Sequence, residues 1–230
     1  MVIGNGMVAT RFEPYQTNPE FVIFGSGVSN SKNTDAAEYG RETELLKKII
    51  NTHQEKTIVY FSTCSIYEPG QKDNPYCIHK IKIEEYIQKN ANRYYIFRVS
   101  NLVGRSANQH TIPNFFYYHM KNKAQFDLWV NSTRNLIDTD DMFTIVDHII
   151  HEKLYINQII NVANPESYEV KEIIIVLETI LNQKADYLPI MKGTRYLIDI
   201  TLIMPVIGKL NINFGKDYLT GLIKKYYPHQ

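Results

Sequence analysis

A chain of 230 residues is long enough for one sizeable core, or for one core with a small appended lobe. Its 44% hydrophobic and 21% charged content is ordinary for a globular protein, and a net charge of +1 argues against a nucleic-acid or acidic-membrane role. Its two cysteines, Cys64 and Cys77, have no metal-ligand spacing and do not make a secreted disulfide scaffold; they read as small core side chains.

No apolar run reaches the roughly 18 residues a membrane span needs, and the N-terminus shows no basic segment followed by an apolar one, so the expectation is a soluble cytoplasmic protein. Short β-branched or aromatic runs alternate with longer helical patterns, which predicts a parallel sheet covered by helices. Met1–Ile3 reads as the first strand, followed by Gly4-Asn5-Gly6-Met7-Val8-Ala9 leading into a helix. Phe21–Phe24 is the second strand and ends in Gly25-Ser26-Gly27. Thr34–Ile50 carries Leu45, Leu46, Ile49 and Ile50 at helical spacing, with Thr34 as its N-cap. Thr57–Phe61 is extended, and Pro75 is suited to the first turn of the next helix. Tyr95–Arg98 is a strand, Pro113–Lys121 a helix, Phe126–Val130 extended, Asp140–His151 a helix, Ile159–Val162 a strand and Val170–Leu181 a helix. Residues 1–112 therefore read as a cofactor-binding part, and 113–230 as a substrate lobe interleaved with the last strands. The basic pairs Lys47-Lys48 and Lys224-Lys225 read as solvated helix faces.

Two stretches carry chemistry. A Gly-x-Gly-x-x-Ala between strand and helix permits a tight turn and close approach of a pyrophosphate to the helix N-terminus. A turn without a ligand uses the same glycines. The acidic residue about 20 positions on, which would hold an adenosine ribose, is missing. Tyr76 and Lys80 are four apart and share a helix face. A lysine cation beside a phenol favours phenolate, so such a tyrosine can exchange a proton with a carbinol oxygen while a nicotinamide exchanges hydride. Thr63, on the preceding strand end, is placed to hydrogen-bond the same oxygen. Tyr-x-x-x-Lys also arises by chance in helices, so the pair gains weight only from the strand end and the glycine loops.

In order along the chain, VIGNGMVA, FVIFGSGVSNS, FSTCSIY, Tyr76-x-x-x-Lys80, FRVSNLVG, STRNLIDTDD and NVANPES resemble the extended short-chain dehydrogenase/reductase family, specifically its NAD-dependent nucleotide-sugar epimerases and dehydratases. The resemblance implies a Rossmann-like, doubly wound parallel sheet with a small C-terminal α/β lobe. Three departures stand out. The second and third strands of the cofactor half are missing, and the loop from Thr63 to Tyr76 is short. Cys64-Ser65 replace the Asp-Glu pair of the sugar dehydratases, which disfavours dehydration.

What the resemblance implies for the site is specific. Thr63, Tyr76 and Lys80 would be catalytic. Gly4, Asn5, Gly6, Met7, Val8, Gly25, Ser26, Gly27, Tyr76 and Lys80 would hold NAD or NADP, with Lys80 meeting the nicotinamide ribose. Asn101 would face a sugar or its phosphate, and Arg134 the diphosphate of a nucleotide sugar, for which a guanidinium fork is suited. Lys192 would add charge nearby. Left to their own chemistry, Asn101 is equally a turn residue and Arg134 a partner of Asp138 or Asp140. The expected activity is an NAD(P)-dependent epimerase or ketoreductase in surface polysaccharide biosynthesis, acting as a homodimer through Thr34–Ile50 and the helix at Pro75. The competing expectation is a member that has lost cofactor binding and serves as a binding or scaffold subunit. Phe115 to Tyr118 read as core plus interface. His53, His79, His110, His119, His148, His151 and His229 show no metal spacing.

Overall fold

The structure, a computed structural model, describes residues 1–31, 33–106 and 108–227. His229 lies outside the described residues. In chain order, β1 (Val2–Ile3) leads through α1 (Met7–Arg11) and a 3₁₀ turn (Glu13–Tyr15) to β2 (Phe21–Phe24), α2 (Ala36–Thr52) and β3 (Thr57–Thr63). A 3₁₀ turn (Cys64–Tyr67) precedes α3 (Pro75–Asn90), β4 (Tyr94–Val99), β5 (Asn101–Val103) and α4 (Ile112–Lys121). Next come β6 (Phe126–Trp129), β7 (Thr133–Arg134), β8 (Leu136–Asp138), α5 (Thr139–His151) and β9 (Gln158–Val162). The chain closes with β10 (Tyr168–Glu169), α6 (Val170–Leu181), β11 (Tyr187–Ile190), α7 (Met204–Leu210) and α8 (Tyr218–Tyr226).

The main sheet has five strands in the order β1-β2-β3-β4-β9, every pair parallel. It is the Rossmann-like sheet the motifs imply, ending at β1: among the described residues nothing pairs with β1 on its outer side. Three two-stranded pairs complete the chain, β7 with β10, β6 with β11, and β5 with β8.

Alternation along each strand feeds two layers. Phe21, Ile23, Val59, Tyr95 and Phe97 point toward α5, whose Met142, Ile145, Val146 and Ile149 complete one core with Phe12 and Ile207. Val22, Phe24, Ile58, Tyr60 and Ile96 point to the opposite face, against Leu46 and Ile50 of α2 and Ile83 and Ile87 of α3. A third core joins α4, α6 and α8 through Phe116, Leu128, Ile173, Leu177 and Leu222. Phe116 is buried there, in keeping with a core role for the aromatic run.

The structure corrects two local expectations. Thr34 is not the N-cap of α2: Asp35 is, its carboxylate accepting from the Ala37 amide at 2.8 Å. An aspartate with extended backbone reaches the amide two residues on as well as threonine does, and sits one residue nearer. Asn74 caps α3 in the same way, accepting from the Tyr76 amide at 2.9 Å. The Lys224-Lys225 pair is not merely solvated either, because Lys225 bridges Asp138 at 2.7 Å and Asp140 at 2.6 Å.

Candidate active site

Strand β3 runs between the two helical layers, so its alternate residues Ile58, Tyr60 and Ser62 face α2 and α3. Its last residue, Thr63, caps the following 3₁₀ turn by accepting from the Ser65 amide at 3.1 Å. Pro75 opens α3 with Asn74 as cap, which brings Tyr76 into the first turn and Lys80 one turn deeper. Thr63, Tyr76 and Lys80 are all buried at the C-terminal end of β3, where parallel α/β sheets present their ligand sites. The Lys80 ammonium lies 5.8 Å from the Tyr76 ring centroid.

The partner of Lys80 is one that the motif reading missed. Its Nζ donates to Glu42 Oε1 at 3.0 Å and to the Tyr60 hydroxyl at 2.9 Å. Glu42 is fully buried on α2 and is saturated: it also accepts from Tyr60 Oη at 2.7 Å and the Val28 amide at 2.7 Å, and its Oε2 meets His79 Nε2 at 3.0 Å. Burial alone would raise the Glu42 carboxyl, but the Lys80 charge and the bonds from His79, Tyr60 and Val28 bring it down to about 2. Tyr39 stacks on His79 with ring centroids 4.6 Å apart and closes the far side.

This counter-charge changes the electrostatics expected of the pair. The phenol of Tyr76 is pushed well above its ordinary value, first by burial and then by the Glu42 charge; Thr63, within hydrogen-bonding reach, works the other way. Tyr76 packs with Val28 and Cys77, and with Tyr39 and Ile66 at the edge. The expectation of a phenolate favoured by a free lysine is therefore corrected: the lysine charge is met by a buried carboxylate. A sequence signal existed. Glu42 lies four residues before Leu46, on the apolar stripe of α2, as Lys80 lies on the stripe holding Ile83 and Ile87. Each position signals burial, and only the facing of α2 and α3 shows that the two charges meet.

The glycines test the fit of a dinucleotide. A Cβ on Gly4 (φ +117°) would meet the Gly25 carbonyl at 2.7 Å, and one on Gly25 would meet Ala9 at 3.0 Å, so these two glycines serve packing between the β1 and β2 loops. Gly6 differs: a Cβ there meets nothing within 4 Å, and no side chain caps the start of α1. On Gly27 a Cβ would lie 2.7 Å from Lys80 Nζ and 3.0 Å from Glu42 Oε1, so the glycine lets this loop approach the buried pair closely. Gly6 thus leaves open space at the start of α1, and Gly27 lies close against the Lys80 amine. Among the described residues no strand pairs with β1 on its outer side, where the adenosine end of a dinucleotide would need one.

A second feature is a cleft whose lining includes none of the remaining candidates Asn101, Arg134 and Lys192. Thr133, Asn135, Asn164, Ser167, Arg195 and Tyr196 line a cleft of about 380 Å³. Asn101 donates from Nδ2 to the Asn135 carbonyl at 3.0 Å, which ties it to the cleft wall. Arg134 is bound not to Asp138 or Asp140 but to Glu68, at 3.3 Å, because β7 turns it toward the loop after the 3₁₀ turn. Tyr196 is pushed up to about 12, chiefly by burial and then by Glu68, with Arg134 opposing and Cys64 and Cys77 adding to it. Lys192 is exposed and is not part of the lining. Cys64 and Cys77 are free and buried; burial raises both thiols, Cys77 to about 11. Among the described residues no group of three or more His, Cys, Asp or Glu is placed to hold a metal ion, and no helix is long and apolar enough to cross a membrane.

A sequence profile of the NAD dependent epimerase/dehydratase family matches residues 16–163, well over half of the chain. The chain belongs to this family. The matched stretch holds β2, β3, Tyr76, Lys80, Asn101 and Arg134, and begins after the glycine turn of residues 4–6. Among solved structures, the fold of this family member is similar to UDP-glucuronic acid 4-epimerase from Bacillus cereus in complex with UDP-glucuronic acid and NAD, with a TM-score of 0.69 at 16% identity over 88% of this chain and 73% of that one. It is similar also to UDP-glucose 4-epimerase from Bifidobacterium longum in complex with NAD+ and UDP (TM-score 0.66, 16% identity, 96% and 81% covered). RMD from Pseudomonas aeruginosa, complexed with NADPH, aligns with a TM-score of 0.68 at 14% identity over 96% and 85%. A comparison with curated protein sequences finds no match.

Proposed function

We propose that this family member is an NAD(P)-dependent epimerase or ketoreductase acting on a nucleotide-linked sugar. The observation that carries the reading is that Thr63 and Lys80 both approach Tyr76 at the C-terminal end of β3, with Gly27 close to the Lys80 amine. The similar folds crystallised with NAD, NADPH and UDP-sugars support it. Gly6, Gly27 and Lys80 would hold the dinucleotide, which when bound supplies the hydride acceptor and donor. Tyr76, aided by Thr63, would pass a proton to or from the carbinol oxygen of the sugar. Arg134 and Arg195 would orient the diphosphate across the cleft, each giving up a carboxylate partner, Glu68 and Glu169 respectively.

A second reading is favoured by one observation: Lys80 is already paired with Glu42. A member that had lost cofactor binding and acts as a binding subunit would keep such a pair as structure. Thermal denaturation with NAD and with NADP separates the two, because a ligand that binds only the folded state must raise Tm. Under the enzyme reading both cofactors raise it. In addition, Tyr76→Phe, which deletes one hydroxyl, lowers turnover by about 10²–10⁴-fold while leaving the cofactor shift in place. No shift with either cofactor would leave the binding-subunit reading standing.

A further inference from the structure

We propose that Glu42 is a positioning residue for Lys80: it holds the ammonium in the ligand-free protein and yields it to the hydroxyl groups of a cofactor arriving past Gly27. This rests on the cofactor reading above and extends it to a residue outside the Thr-Tyr-Lys motif. Three observations carry it. First, the pair lies directly under a half-exposed loop whose covering residue is a glycine; any side chain there would strike Nζ and Oε1.

Second, the contacts are asymmetric. Lys80 has two partners, Glu42 and Tyr60, for three N–H groups. Glu42 has four donors, so on losing Lys80 it still keeps His79 at 3.0 Å, Tyr60 at 2.7 Å and the Val28 amide at 2.7 Å. The carboxylate is not left bare by the exchange, and the ammonium gains ligand oxygens in its place. Third, Glu42 and Lys80 stand on different helices, α2 and α3, and Val28, which Glu42 holds, belongs to the loop that must admit the ligand. The same carboxylate therefore sets the position of the amine and of the loop over it.

Competition for Lys80 has a signature that a structural role lacks: weakening Glu42 should lower stability and raise affinity together. The test measures NAD binding to the full chain by calorimetry alongside Tm for the unsubstituted protein, Glu42→Gln, Lys80→Met and the double variant. Glu42→Gln is expected to bind NAD about ten-fold more tightly, since it removes a charge-assisted competitor, while its Tm falls. Lys80→Met should bind weakly, and adding Glu42→Gln to it should bring no gain. Should Glu42→Gln not fold, Glu42→Asp keeps the charge but falls about one C–C bond short of Nζ, and the same sign is expected. Equal or weaker binding in both Glu42 variants, with NAD still bound by the unsubstituted protein, overturns the positioning role and leaves the cofactor reading intact. A gain that persists without Lys80 also overturns it. If neither the unsubstituted protein nor any Glu42 variant binds NAD, the cofactor reading fails, and this role with it.

Discussion

Replacing Lys80 with methionine should destabilise the fold far more than a surface lysine change. The side chain is 2% exposed and Glu42 is fully buried, so the substitution leaves the carboxylate with the His79, Tyr60 and Val28 contacts but no lysine counter-charge in the α2–α3 interface. Breaking a buried pair from one side costs roughly 3–5 kcal/mol. The lowered carboxyl of Glu42 points the same way, its lowering shared among Lys80, His79, Tyr60 and the Val28 amide. A carboxyl brought from its ordinary 4.5 to about 2 contributes about 3 kcal/mol to stability at neutral pH. Since its folded value is the lower one, that contribution is present above about pH 4.5 and is lost as pH falls toward 2. For a domain of this size each kcal/mol is worth roughly 2–4 °C, so Tm should drop by about 6–20 °C at pH 7. Urea denaturation across pH is the assay: the gap between Lys80→Met and the unsubstituted protein should be widest near neutrality and narrow below about pH 4.5. The companion Glu42→Leu/Lys80→Met, which removes both charges, should recover most of the loss. A Lys80→Met protein within about 1 kcal/mol of the original at pH 7 would refute the reasoning, because Glu42 would then not depend on that ammonium.

Gly6→Val should leave the fold untouched, since Gly6 has φ −78° and open space at its Cβ, yet abolish the thermal shift by NAD; a retained shift removes that loop from the site. Gly4→Ala should instead cost stability directly, because φ +117° and a 2.7 Å approach to the Gly25 carbonyl both oppose a side chain; an unchanged Tm would contradict this. Discrimination between NAD and NADP should stay within about ten-fold, as among the described residues no strand pairs beyond β1 to carry a ribose selector, and calorimetry giving a stronger preference would place the selector elsewhere. Arg134→Ala should raise KM for a nucleotide sugar with less effect on kcat, the mark of lost ground-state binding; an equal fall in kcat and kcat/KM would assign Arg134 to the reacting centre instead.

Local pattern alone determined much of this protein. Strand runs such as Phe21–Phe24, the helix start at Pro75 and the helix Val170–Leu181 are legible because alternation and helical spacing are short-range properties of the chain. The order of glycine turn, hydroxyl-bearing strand end and Tyr-x-x-x-Lys likewise pointed to the family and its parallel sheet. What local pattern could not decide was which buried charges meet. Glu42 and Lys80 are 38 positions apart, on separate helices, and each reads by itself as an ordinary polar residue in an amphipathic stretch. Arg134 offered nearby Asp138 and Asp140 as partners, yet the turn of β7 delivers it to Glu68, 66 positions away. A charge finds its partner through the crossing of distant elements in a medium where leaving it unpaired is costly. That choice is made only when α2, α3 and β3 close on one another, and it decides whether Lys80 is free for Tyr76 or already held by Glu42.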